Sequence, residues 1–245
     1  MKSNLRKIET IMFCIMIMLL TSCKKSDSDL EMVEIPGLEI SMLNTEVTQA
    51  LYESVMGENP SRIYGDNNPV EMVSWYDAIY FCNKISEKLG YEPVYSVDGE
   101  AQAENWGYKP HKSHVLKGSI TQNLKANGFR LPTEEEWEYV AKGGQNYTYA
   151  GSNDLDKVGW YVDNSGDETH PVAQKKANGY GLYDMSGNVY EWCWDVNPDD
   201  SRNRYYRGGS CYYDGNDCKV SRRNNFYANY QYYEIGFRIV CSASE

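Results

Sequence analysis

The stretch from Tyr205 to Glu245, YYRGGSCYYDGNDCKVSRRNNFYANYQYYEIGFRIVCSASE, decides how the whole chain is read. Two glycine brackets, Arg207-Gly208-Gly209-Ser210 and Gly236-Phe237-Arg238, enclose a segment crowded with Tyr, Asn and Asp. Between Ser210 and Glu234 stand six tyrosines, with Val220 and Ala228 as the only aliphatic residues. Clustered phenols among turn-forming residues are too polar at their tips to fill a core and too apolar for a solvated loop. A β-sheet also favours Tyr, but the scarcity of aliphatic partners points to a contact surface.

Upstream of that stretch the signals are helical. Thr133 starts a helix with Glu136 placed to complete a capping box, and Trp137, Tyr139, Val140 and Ala141 follow before Gly143-Gly144 ends it. A second helix is capped by Ser74, carries Asp77 in its first turn, and lines Trp75, Ala78, Ile79, Cys82, Ile85 and Leu89 along one face until Gly90. On that apolar face Cys82 reads as a small buried hydrophobe. In NTEVTQALYESVMG, apolar Val47, Leu51 and Val55 recur every four residues, which predicts a helix with Thr45 as N-cap and Gly57 as terminator.

The rest is irregular or extended. Met32 to Ser41 alternates around Pro36-Gly37 and suits an opening strand pair, while Asn59 to Pro69 reads as a connection. Tyr91 to Asn127 has no strong period and reads as loop; there His111 and His114, spaced i, i+3, carry a metal-ligand spacing that the loop context argues against. From Tyr147 onward short apolar runs separated by Gly, Asn and Asp predict short strands and long shaped loops. Helices first and irregular β later give an α+β class.

The N-terminus is different in kind. Lys2, Arg6 and Lys7 precede the almost purely apolar run Ile11 to Leu20, and Leu20-Thr21-Ser22-Cys23 follows. The apolar run is well short of the roughly 20 residues that span a bilayer, so residues 1–22 read as a signal peptide. Leu-Thr-Ser-Cys resembles a bacterial lipobox, which implies lipidation at Cys23, export, and attachment to a bacterial membrane, with the outer cell surface as the expected location. Residues 23–32 then form an acylated tether and residues 33–245 one domain.

Cleavage removes three basic side chains and one acidic one, taking the formal net charge from −11 to −13. A body that acidic repels phosphate backbones and disfavours nucleic acid as a partner. Five cysteines remain besides Cys23: Cys82, Cys193, Cys211, Cys218 and Cys241. No two are spaced as CxxC, and sequence leaves their pairing open.

Three runs read together resemble a known family. NGFRLPTEEEWE from Asn127, GLYDMSGNVYEW from Gly181, and the RGGS and GFR brackets occur in this order. They are similar to the formylglycine-generating-enzyme (sulfatase-modifying factor) family, and PVEMVSWYDAIYFCN and THPV extend the likeness over nearly all of residues 33–241. The resemblance implies a C-type lectin-like fold, with helices around a small twisted sheet and much ordered loop. It also implies an alternative function, copper-dependent oxidation of a substrate cysteine to formylglycine.

Family enzymes place two copper-holding cysteines three and eight residues after the Ser of GGS. Here the eighth residue is Cys218 but the third is Tyr213, and Cys211 is only one residue on. Copper(I) wants soft thiolates, and a phenol with a pKa of about 10 is a poor substitute; the pair reads as incomplete and the chain as no enzyme. The Glu-Pro-Asn and Gln-Pro-Asp tripeptides of calcium-dependent sugar-binding lectins do not occur. Asn188 and Glu191 match family calcium-ligand positions and suggest a structural Ca2+, whereas Ala173 stands where a second family site expects a carboxylate.

The same family includes the variable proteins of diversity-generating retroelements, treponemal lipoproteins among them, whose codons near the gene's end are rewritten at adenines. Mutating the adenines of AAC or AAT gives Asn, Tyr, Asp, Ser, His, Phe, Cys, Gly, Arg and others, but no stop codon and no Lys, Glu, Gln, Met or Trp. Within about residues 211–233, Tyr212, Tyr213, Asp214, Asn216, Asp217, Arg222, Asn224, Asn225, Phe226, Tyr227, Asn229, Tyr230, Tyr232 and Tyr233 fall in the reachable set. Among them Gly215, Cys218, Lys219, Val220, Arg223, Ala228 and Gln231 read as fixed framework. Tyrosine gives contact area with two torsions to freeze and Asn and Asp give adaptable hydrogen bonds, the composition of a paratope. The expectation is a surface-displayed lipoprotein binding varied protein or host-surface ligands, with a structural envelope lipoprotein as a further alternative.

Overall fold

The computed structural model describes residues 30–243, and from Met32 onward the chain forms one compact unit. The signal peptide, Cys23 and most of the tether lie outside the described residues.

The chain opens and closes in the same sheet. β1 (Met32–Glu34) turns back through Pro36-Gly37 onto β2 (Ile40–Leu43), and β2 pairs on its other side with the last strand, β9 (Val240–Ser242). Helix α1 spans Gln49–Met56 and α2 spans Trp75–Leu89, ending at Gly57 and Gly90 in left-handed conformations. Ser74 and Asp77 form a reciprocal capping box at the start of α2. Its inward face buries Trp75, Ala78, Ile79, Phe81, Cys82 and Ile85. Helix α3 (Glu134–Lys142) starts on the Thr133–Glu136 capping box and buries Trp137 completely.

Thr48, not Thr45, caps α1. Thr48 is extended and its hydroxyl accepts from Leu51 N at 3.3 Å, while the Thr45 hydroxyl donates to the neighbouring Glu46 carbonyl. Val47 belongs to the approach rather than to the helix: its N–H donates to Phe237 O and its carbonyl accepts from Val70 N. The four-residue period counted a buried extended residue as a helical one.

Tyr91 to Asn127 contains order that periodicity did not reveal, a hairpin of β3 (Tyr95–Val97) and β4 (Ile120–Gln122) with a short 3-10 turn at Ala103–Trp106. Beyond a further short helix, α4 (Val162–Ser165), the four-stranded sheet has the order β7-β6-β5-β8. β5 (Tyr190–Asn197) and β6 (Asp200–Arg207) are eight-residue antiparallel strands, longer than the short strands expected there. β7 (Asn224–Tyr227) lies at one edge, and β8 (Ile235–Gly236) runs parallel to β5 at the other.

Buried at the centre are two framework arginines. Arg238 is wholly buried; it pairs with Glu191 (Nη2 to Oε1 2.8 Å) and donates to the carbonyls of Leu43 and Tyr183. Arg207 donates to the carbonyls of Val220 and Arg222, pairs with Glu134 and Glu138, and sits 5.6 Å from the Trp137 ring centre. Each therefore bolts separate chain segments together through backbone oxygens, and each belongs to a glycine bracket.

A candidate ligand-binding face

Both brackets need glycine for reasons of space and conformation. Gly208 and Gly209 have φ of +97° and +79°, and a Cβ on Gly209 would lie 2.6 Å from Cys218 Sγ. A Cβ on Gly236 would meet the Val70 carbonyl at 2.4 Å. The ends of the Tyr-rich segment are thus fixed by backbone contacts that tolerate no side chain.

Between the brackets the chain is held by its backbone. Cys211 N donates to Asn188 O, Val162 N to Tyr213 O, Val220 N to Thr148 O, Ala228 N to Arg202 O, Trp75 N to Ala228 O and Met72 N to Tyr232 O, all at 2.8–3.1 Å. β7 adds a ladder to β6, pairing Asn203 with Tyr227 and Tyr206 with Asn224. None of these bonds asks anything of the side chain at position 213 or 232.

The fourteen expected contact positions all lie on the surface side of this scaffold. None is buried; Tyr213, Phe226, Tyr227 and Tyr232 are the most exposed aromatics, at 36–42%. The interleaved Cys218, Val220 and Ala228 are buried at 0, 3 and 2%. Gln231 is also a fixture: it donates to Asp77 at 2.7 Å and accepts from the Ser113 hydroxyl at 2.7 Å. Arg223 is exposed yet pinned, donating to Glu134 at 2.5 Å with its guanidinium 4.1 Å from the Tyr205 ring centre. Lys219 has a weaker hold, its ammonium donating to Asn216.

The rings form a continuous path across the face. Tyr227 meets Phe226, Phe226 meets Tyr230, Tyr230 stacks on Tyr232, Tyr232 meets Tyr233 and Tyr233 meets Tyr212, with centroids 4.1–5.4 Å apart. Arg202 lies 5.1 Å over Tyr227 at one end and Arg62 lies 5.0 Å over Tyr233, one ring from the other. Asp214, Asn216, Asp217 and Arg222 occupy the neighbouring loop, where Arg222 pairs with Asp217 at 3.1 Å. Asn224 and Asn225 sit on β7, and Asn229 reaches the Ser113 carbonyl. Burial and then the Cys211 thiol push the Tyr212 phenol up to about 12; burial and then Glu234 do the same for Tyr213. These phenols stay neutral at physiological pH and offer O–H donors.

Three participants were not legible in the sequence. Arg62 and Arg202 come from a loop and a hairpin strand distant in the chain, and nothing local marks them as stacking partners. The third is Glu71, whose buried carboxylate holds the Arg62 loop by accepting from Arg62 N and Ile63 N. Its other oxygen has no hydrogen-bond partner among the described residues, and burial pushes the carboxyl up to about 7.

The ligand sets implied by the resemblance fit poorly. Tyr213 is turned to Glu234 at 3.2 Å, while Cys211 and Cys218 are buried thiols, the second pushed up to about 12 mainly by burial. Copper(I) needs thiolates, which this environment disfavours. The Asn188 side-chain oxygen accepts from His170 N and its carbonyl from Cys211 N. Both Glu191 oxygens accept from Arg238, one also from Trp137. Those oxygens are engaged, and a guanidinium stands beside them, so the residues present do not fit a calcium ion. Among the described residues no group of three His, Cys, Asp or Glu is arranged to hold a metal. His111 is instead bonded to Tyr52 and Glu58, and His114 is exposed in its loop.

Fold and face together define an α+β domain of C-type lectin-like type presenting an aromatic surface on a rigid support. The family model for the sulfatase-modifying factor enzyme 1-like domain matches residues 27–243, and the chain belongs to that family. It is similar to the solved structure of Treponema denticola variable protein 1, with 35% identity, 86% of this chain and 91% of that chain covered, and a TM-score of 0.75. It is 41% identical to chaperone protein LppX of Paenibacillus barcinonensis over 80% of this chain and 78% of that protein. The formylglycine-generating enzyme of Mus musculus is 29% identical, over 63% of this chain and 38% of the enzyme.

Proposed function

We propose that the protein is a non-catalytic, ligand-binding lipoprotein, anchored through Cys23 and displayed at the cell surface, whose face between Tyr212 and Tyr233 is diversified by a retroelement to bind varied macromolecules. One observation carries the reading: the fourteen positions expected to vary are all exposed or half-exposed, whereas Cys218, Val220 and Ala228, expected as fixed framework between them, are buried. The similarity to a treponemal variable protein supports it. An oxidase role is disfavoured by Tyr213 at the expected cysteine position and by the buried, protonated thiols.

Sequencing the locus in independent isolates tests the proposal. Changes should be confined to the fourteen positions, with an adenine-rich near-repeat and a reverse-transcriptase gene nearby; an unvarying segment without such a cassette refutes it. A copper(I) titration with a cysteine-containing peptide should give neither tight thiolate binding nor oxygen consumption.

A further inference from the structure

From Asn105 to Thr133 the chain has no Asp or Glu, although 35 acids in 245 residues would place about four in a stretch of 29. The same stretch carries Lys109, Lys112 and Lys117. Among the described residues none of these three forms an ion pair, whereas Lys84, Lys142 and Lys157 each lie against a carboxylate. With Lys125 and Arg130 they give the stretch five basic residues and no acid, in a body with formal charge −11.

Two of them stand at a cavity of about 640 Å3. Its lining includes the buried side chains of Trp106, Tyr108 and Leu116, with Lys109, His114 and Lys117 among the exposed residues and no carboxylate. The polar tips of the aromatic residues are already used: Trp106 Nε1 donates to Glu100 O at 2.9 Å and the Tyr108 hydroxyl donates to Asp77 at 2.9 Å. What these two rings have left to offer is carbon surface, and the charge beside it comes from ammonium groups.

The loop is held in shape. His111 N donates to Asp77, its ring bonds Tyr52 at 2.7 Å and Glu58 at 2.8 Å, and the Ser113 hydroxyl donates to Gln231. His111 and Ser113 have φ of +58° and +51°, a conformation that side-chain-bearing residues rarely adopt and that surrounding contacts must impose. A pinned backbone, an apolar floor and unpaired cations together make a preorganised receptor for an amphipathic anion.

We infer that this cavity binds carboxylates attached to an apolar body, with Lys109 and Lys117 holding the carboxylate and Trp106, Tyr108 and Leu116 taking the hydrocarbon or aromatic part. Such a group is carried by the C-terminal residue of a polypeptide or by a free aryl or alkyl acid. The site lies outside the Tyr-rich face and stands on its own, independent of any reading of that face. Through Gln231 and Ser113 it adjoins that face, so one ligand could engage both.

Calorimetric titration of the full chain at low ionic strength tests the inference. Indole-3-acetate should bind saturably, and the neutral alcohol tryptophol and the cation tryptamine at least roughly tenfold more weakly, the scale of one charge-assisted hydrogen bond. Lys109→Ala/Lys117→Ala should lose a similar factor. Val115→Asp, at an exposed lining position, should abolish binding without touching the core. Tyr232→Ala/Tyr233→Ala should leave it unchanged. N-acetyl-Gly-Gly-Trp with a free C-terminus, set against its amide, distinguishes the sources: tighter binding than indole-3-acetate identifies a polypeptide end, weaker binding a free acid. No saturable binding, equal binding of the alcohol, or loss in the tyrosine variant but not in the lysine variant overturns the inference.

Discussion

The Tyr-rich segment and the buried centre around Arg238 are both dense in polar groups, yet they are tied into the fold by different atoms. Around Arg238 the ties are side chains: guanidinium to Glu191 carboxylate, guanidinium to the carbonyls of Leu43 and Tyr183, and Trp137 Nε1 to Glu191. In the Tyr-rich segment many ties to the body are main-chain N–H and C=O groups at positions such as Cys211, Tyr213, Ala228 and Tyr232, beside the side-chain bonds of Arg223, Asn225, Asn229 and Gln231. A backbone bond survives a change of side chain, and a guanidinium bond does not. On the proposed reading, that difference lets one domain keep its fold while the residues of its face change.

Breaking the central ties should have the largest effect. Arg238→Ala leaves Glu191 buried without its counter-charge, next to Glu46 and Asp184, whose carboxyls burial already pushes up. Loss of one partner of a buried pair costs about 3–5 kcal/mol, so urea denaturation should find this variant largely unfolded or severely weakened. Next comes the bracket: Gly209→Val forces a left-handed residue against Cys218 and should cost about 2–4 kcal/mol in the same measurement.

A third effect separates the face from its support by pH. Glu71 has its carboxyl raised to about 7, so its contribution to stability is full below the ordinary carboxylate pKa and is lost as pH rises through about 7. The loss between pH 5 and pH 8 should be up to about 3 kcal/mol, read as a falling melting temperature. Glu71→Gln should flatten that part of the profile; an unchanged profile would mean that Glu71 does not titrate there.

Much of the fold was legible because its helices announce themselves locally. Ser74 with Asp77, Thr133 with Glu136, and the glycines at 57, 90 and 143 mark ends that the structure keeps. The hairpin of β3 and β4 was not legible, since three-residue strands are too short to show a period. Thr45 looked like a cap because Val47 happened to fall in register with Leu51. The outward-facing positions of the Tyr-rich segment could be read from residue types, but not the cations that flank its rings: Arg62 reaches Tyr233 across more than half the chain. The guanidinium of Arg238 beside Glu191, which bears on the calcium expectation, is a tertiary fact with no local signal in the sequence.

The smallest effect tests the central claim most directly. Phe226, Tyr227, Tyr230 and Tyr232 together make most of the aromatic path, yet Phe226, Tyr227 and Tyr232 are exposed and Tyr230 is only half-buried. Exposed positions cost under about 0.5 kcal/mol each. Urea denaturation of the quadruple Ser variant, Phe226→Ser, Tyr227→Ser, Tyr230→Ser and Tyr232→Ser, should therefore show less than about 2 kcal/mol lost with an unchanged slope. A loss above about 4 kcal/mol, or a broadened transition, would mean that these rings are core and that the face is not free to change.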